Sequence, residues 1–148
     1  MKKFILSALM CVMALSMSAQ YVNLGLPSGT KWKTSNEQGY YSFEEAVSTF
    51  GKNLPADWQF QELIDYCKWE RTDERCKVIG PNGNYIYIPI TGFYFEGEGY
   101  VENYIGNYWS STPKGEKYAY WLSIWGNSPY LRDDVERRIF KLPVRLVQ

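Results

Sequence analysis

The chain has 148 residues, with 16 basic and 16 acidic side chains and no histidine. Balanced charge with no basic run argues against nucleic acid and against anionic membrane surfaces as partners. The missing imidazole rules out serine–histidine and cysteine–histidine catalysis and leaves no ligand to complete a mixed zinc site.

Met1-Lys2-Lys3 is a short positive start, and Phe4 to Leu15 is an apolar run of signal-peptide length, too short for a bilayer span. Residues 1–19 are therefore predicted to be a signal peptide cleaved after Ala19, with cleavage after Ser18 as the alternative. Cys11 lies inside the apolar run beside Met10 and is expected to be discarded, so the product is exported without a lipid. Residues 20–148 carry a net charge of −2 and suffice for one domain with a sizeable core. No later stretch is apolar enough to span a bilayer, so the product is expected in the periplasm or outside the cell, with no membrane insertion. Cys67 and Cys76 remain, at a spacing that is neither a zinc nor a thioredoxin pattern. In an oxidising compartment they could pair, closing a short loop worth roughly 2–3 kcal/mol, or stay as thiols.

Tyr21 to Leu24 and Lys31 to Thr34 are predicted as two short strands around the Gly25–Thr30 turn. Ser42 and Glu45 form a capping-box pair for a helix that carries Phe43, Ala46, Val47 and Phe50 on one face and ends at Gly51. A second helix follows Pro55 and Asp57 through about Cys67, with Trp58, Leu63, Ile64 and Cys67 as its apolar stripe. Lys68 to Arg75 reads as a polar loop. Pro81-Asn82-Gly83 between Cys76–Ile79 and Tyr85–Ile88 is the clearest hairpin, with Ile86 and Ile88 on one face and Tyr85 and Tyr87 on the other. Pro89 to Gly106 is rich in glycine and tyrosine and lacks periodicity, so it is expected to be a long irregular loop.

The chain is organised around Gly106-Asn107-Tyr108-Trp109-Ser110-Ser111-Thr112-Pro113, where two aromatics need burial and three hydroxyls can bond a neighbouring strand. Tyr118 to Trp125 alternates as a strand, Arg132 to Arg138 reads as a charged loop, and Ile139 to Val147 as a last strand interrupted by Pro143. These patterns give an α+β fold, two short helices packed on antiparallel sheets with a long irregular loop.

Several motifs resemble the bacterial major paralogous domain family, Fib_succ_major. They are Tyr21-Val22-Asn23-Leu24-Gly25-Leu26-Pro27-Ser28-Gly29-Thr30-Lys31-Trp32, Leu54-Pro55, Glu62-Leu63-Ile64-Asp65 with Cys67 and Trp69, Gly80-Pro81-Asn82-Gly83-Asn84, and Ile88-Pro89 with Gly92. The central Gly106 to Pro113 stretch, Tyr118-Ala119-Tyr120 and the closing Val144-Arg145-Leu146-Val147 continue the likeness over nearly all of residues 20–148. The resemblance implies an exported protein of a Gram-negative bacterium with a C-type-lectin-like fold, in which both chain ends contribute strands and a small second sheet carries a long loop. The glutamate-proline-asparagine and tryptophan-asparagine-aspartate signatures of calcium-dependent sugar-binding lectins are missing, and Ser110 and Ser111 stand where the second would run. Formylglycine-generating oxidases share this broad fold but need paired cysteines in the C-terminal half, and none follows Cys76.

A noncatalytic binding module is therefore the expectation, engaging glycan or a cell-surface or matrix protein, with no cofactor; an assembly component of a cell-surface complex is the alternative. Trp121 and Trp125 share a strand face at roughly 13 Å: exposed, they form a stacking platform; buried, the second face of a core strand. Tyr94, Tyr100 and Tyr104 in the long loop are further ligand candidates. Glu96, Glu98 and Glu102 are weak calcium candidates, and Glu96 with Glu98 is one example of a carboxylate pair that could serve hydrolysis; a solvated acidic loop explains them more simply. Trp109 is assigned to the core.

Overall fold

The computed structural model describes residues 20–101 and 105–148. The predicted signal peptide, including Cys11, and the candidates Glu102 and Tyr104 lie outside the described residues. Strands β1 (Tyr21–Asn23) and β2 (Lys31–Lys33) pair as expected around the Gly25–Thr30 turn. Helix α1 (Phe43–Phe50) starts on the anticipated capping box: Ser42 Oγ accepts the Glu45 N–H and the Glu45 carboxylate accepts the Ser42 N–H. Gly51 closes it at a positive φ of 51°, a conformation that costs glycine little. Phe43 and Ala46 are buried, but Val47 is exposed.

Helix α2 (Asp57–Tyr66) begins on Ala56, which has no side-chain acceptor. Thr112 supplies one from a distance: its Oγ1 accepts the Asp57 N–H at 3.0 Å and donates to Asp57 Oδ1 at 3.0 Å. Gln59 Oε1 accepts the Ala56 N–H. The buried residues of α2 are Phe60 and Leu63, whereas Trp58 is exposed. Trp58 and Phe60 lie about 200° apart around a helix, so burying Phe60 turns Trp58 to solvent.

Strands β3 (Lys68–Arg71), β4 (Arg75–Ile79) and β5 (Tyr85–Pro89) form one antiparallel sheet. The β4–β5 hairpin has the expected alternation, with Ile86 and Ile88 buried. The stretch expected to be a polar loop is instead β3 and its turn, because Trp69 packs against the core and its indole N–H donates to Leu63 O. The ladder also settles the cysteines. Cys76 sits opposite Arg71, and Cys67 lies four residues beyond Arg71, about 13 Å along the strand. A disulfide needs Cα atoms about 4.4–6.8 Å apart, and both residues are free thiols. Burial raises both thiol pKa values, that of Cys67 to about 11, so neither is a nucleophile at neutral pH.

Strands β6 (Phe93–Phe95), β7 (Gly99–Val101) and β11 (Phe140–Lys141) make a second sheet, ordered β11-β6-β7. The predicted irregular loop is thus partly a hairpin, built from strands too short to show periodicity. Strands β8 (Gly106–Lys114), β9 (Tyr118–Trp125) and β10 (Ser128–Glu136) make the third, ordered β10-β9-β8. The charged loop expected at Arg132 to Arg138 lies mostly in β10, an edge strand whose charges face water while Val135 is buried. The final strand is corrected too: among the described residues, beyond Lys141 only Leu142 and Val147 form isolated bridges, to Tyr41 and Trp32.

Two cores meet at β8 and β9. One packs Phe60 and Leu63 of α2, Val78, Ile86 and Ile88 against Tyr108, Leu122 and Ile124. The other packs Phe43 and Ala46 of α1, Leu142 and Val144 against Trp109 and Ala119. The central sheet is therefore covered on both faces, and all of Gly106 to Ser110 is buried. The expected hydroxyl bond is present, from Ser110 Oγ to Tyr120 O at 2.6 Å. The C-terminal segment closes on β2: Lys31 and Gln148 exchange backbone hydrogen bonds at 2.9 Å, and the Lys33 N–H donates to Leu146 O at 3.0 Å. Two motifs far apart in sequence also dock, since Gly80 leaves no room for a Cβ against Leu24 and the Asn82 and Asn84 amides both donate to Asn23 O. Among the described residues no helix is long and apolar enough to cross a membrane.

Tyr108 is fully buried; its hydroxyl donates to Pro89 O at 2.6 Å and accepts from the Asn36 amide at 2.9 Å. Burial pushes its pKa up to about 12. In the unfolded chain the phenol ionises near 10, so between about pH 10 and 12 the unfolded state loses its proton first and Tyr108's contribution to stability falls. At pH 7, Tyr108→Phe is expected to cost about 1–2 kcal/mol in urea unfolding, and at pH 11 the gap should narrow by roughly 1 kcal/mol. A gap unchanged with pH would contradict this placement.

Candidate functional site

The β6–β7 hairpin turns through Glu96-Gly97-Glu98, with Gly97 at φ 84° and the Glu98 N–H donating to Phe95 O. Alternation sends Phe93 and Phe95 inward, where their ring centroids lie 5.7 and 5.1 Å from Phe140. Tyr94 therefore points outward. It sits between Lys141 of β11 and Tyr100 of β7, so Lys141, Tyr94 and Tyr100 form one row across three strands. Tyr40 joins from the segment before α1, with centroids 5.1 Å from Tyr94 and 6.0 Å from Tyr100; Tyr94 and Tyr100 are 5.4 Å apart. Gly92 makes the packing feasible, since a Cβ there would meet Tyr100 and the Val101 carbonyl.

Tyr94 and Tyr100 are 42% and 50% exposed. Tyr40 is half-buried, and its pKa is raised, first by burial and then by the Tyr100 hydroxyl beside it. Two open clefts adjoin this row, and a third shares walls with one of them. One, of about 320 Å³, is lined by Gly39, Tyr40, Tyr94 and Lys141. The next, of about 370 Å³, lies between Ser42, Tyr94, Glu96, Arg138 and Lys141. The third, of about 460 Å³, extends past Glu96 and Arg138 to Glu116, Lys117 and Glu136. The result is a shallow groove with tyrosine rings at one end and mixed charge at the other.

No family model, curated protein or solved structure matches the chain.

The other predicted site residues fall differently. Trp121 and Trp125 do not form a joint platform. Trp121 is half-buried, 6.4 Å from Phe140, and its indole N–H donates to Asp134 Oδ1. Trp125, at the far end of β9, is 64% exposed and flanks a cleft of about 380 Å³ with Ser123, Tyr130 and Arg132. Trp125 itself is about 23 Å along β9 from Tyr118, whose neighbour Lys117 lines the far end of the tyrosine groove. Glu96 and Glu98 are solvent-exposed turn residues, and among the described residues no three His, Cys, Asp or Glu side chains converge to hold a metal. Tyr40, Arg138 and Lys141 were missed by sequence reasoning; the Tyr40-Tyr41 doublet ahead of the Ser42 cap was the one local signal. By urea unfolding, Trp121→Ala is expected to cost about 2 kcal/mol and Trp125→Ala no more than about 0.5 kcal/mol. Equal costs would contradict the split between the two indoles.

Proposed function

We propose that this chain is an exported, noncatalytic binding module of the Fib_succ_major kind, with a C-type-lectin-like fold, that recognises a glycan at the cell surface. The observation that carries the reading is the row of Tyr94 and Tyr100, backed by Tyr40 and open along a shallow groove. Tyrosine presents a rigid apolar ring that stacks on the carbon face of a sugar and a hydroxyl that stays wet. An open groove admits a chain passing through, where an enclosed pocket would admit only its end. The C-terminal segment paired with β2, the two helices and the small sheet displaying the row support the fold part of the reading. Export is supported by the pattern of residues 1–19. The exposed Trp125 and Tyr130 favour a second reading, an assembly component that meets a protein neighbour at the opposite end of β9.

The test is a glycan array probed with the purified protein and with a Tyr94→Ala/Tyr100→Ala variant, folding checked by thermal melting. Binding is expected to weaken at least tenfold in the variant, about 1.4 kcal/mol, with little change in melting temperature. A native protein that binds no glycan would overturn the reading and favour the assembly role.

A further inference from the structure

We propose that the groove selects an acidic glycan, one sugar ring lying on Tyr94 with its anionic group held between Lys141 and Arg138. This rests on the glycan-binding reading above and narrows it to a ligand class. The argument is one of unspent charge. Around this end of the molecule most cations are already engaged. Arg137 reaches Glu44 at 3.1 Å, donates to the Gly115 and Glu116 carbonyls and lies over the Phe43 ring. Lys117 pairs with Glu136, Lys114 with Asp133 and Arg132 with Asp134. Arg138 is exposed and makes no hydrogen bond or ion pair among the described residues. Lys141 has one ionic neighbour, Glu45, at 3.6 Å with both side chains more than half exposed, and that same Glu45 oxygen also accepts the Ser42 N–H. These two under-used cations line the same cleft as Tyr94.

The alternative that they are merely solvated surface charges is weakened by their placement. Lys141 is the cross-strand partner of Tyr94, fixed by the β11–β6 register, so the two side chains leave the same face of the sheet and line one cleft. A carboxylate or sulfate ester there would gain charge-assisted hydrogen bonds that water now supplies. Glu96 lines the same cleft and Glu116 and Glu136 follow beyond it, so past the two cations the carboxylates outnumber Lys117 and oppose further negative charge. The groove therefore suits a largely neutral chain with an isolated acidic sugar and disfavours a continuous polyanion.

The test is calorimetric titration of the protein expressed as residues 1–148, processed by the cell, with three probes. These are a neutral xylo-oligosaccharide bearing one glucuronate, its carboxyl-reduced counterpart and a sulfate-ester counterpart. At low salt the glucuronate or sulfate form is expected to bind at least tenfold more tightly than the reduced form, and whichever does identifies the anionic group. In an Arg138→Gln/Lys141→Gln variant that preference should fall below twofold while the reduced form binds as before. Raising the salt to 0.5 M should weaken only the charged forms. Equal affinity for charged and reduced forms would overturn this inference and leave the glycan reading standing. Failure of all three probes, together with a blank array, would overturn both.

Discussion

Arg145 is 1% exposed, and no carboxylate lies among the groups that hold it. Its guanidinium donates to Asn36 Oδ1 at 2.9 Å, to Lys33 O at 2.9 Å and to Tyr87 O at 2.6 Å. Burial lowers its pKa to about 10, so it remains charged at neutral pH. A buried cation is costly unless its donors are met, and here three neutral oxygens from two separate segments, Lys33–Asn36 and β5, must converge to meet them. Asn36 extends the network to the buried hydroxyl of Tyr108, which donates in turn to Pro89 O. The C-terminal segment, β2, β5 and β8 are thereby tied at one node. Two of the three strands that build the row, β6 and β11, lie next to this node. Strand β6 begins four residues after Pro89, and Lys141 lies four residues before Arg145.

The central sheet explains why the two ends of the molecule differ. Because β8 and β9 are covered on both faces, neither could offer a broad binding face, and exposed aromatics are displaced to their margins. Trp121 is drawn into the second core by Phe140, which itself is wedged against Phe93 and Phe95. That wedge turns Tyr94 outward. Packing beneath the small sheet and display above it are two consequences of one alternation.

Elements defined by local chemistry were legible in the sequence: the Ser42 capping box, the Gly51 stop, the Pro81-Asn82-Gly83 hairpin and the alternation of Tyr118 to Trp125. Elements defined by partners were not. Strand β10 is polar because it is an edge, and polarity alone reads as loop. Strands β6 and β7 are three residues each, too short for a period of two to register. The last segment changes partner, from Phe95 and Tyr94 to Tyr41 and then Trp32, around Pro143. The same division holds for the site. Tyr94 and Tyr100 stood out as tyrosines in a glycine-rich stretch, whereas Tyr40, Arg138 and Lys141 join them only through tertiary pairing. The cysteine question turned on strand register, which spacing does not reveal.

The central claim is that the Arg145 node positions β6 and β11, two of the three strands of the tyrosine row. The most direct test is native-state hydrogen exchange of an Arg145→Lys variant, which keeps the charge but cannot reach three divergent acceptors. The account predicts that protection falls together in residues 89–95 and 139–147, while α2 and the β3–β4 ladder keep theirs. A folded variant whose tyrosine-row strands exchange as in the native chain, or one that loses protection evenly throughout, would contradict it.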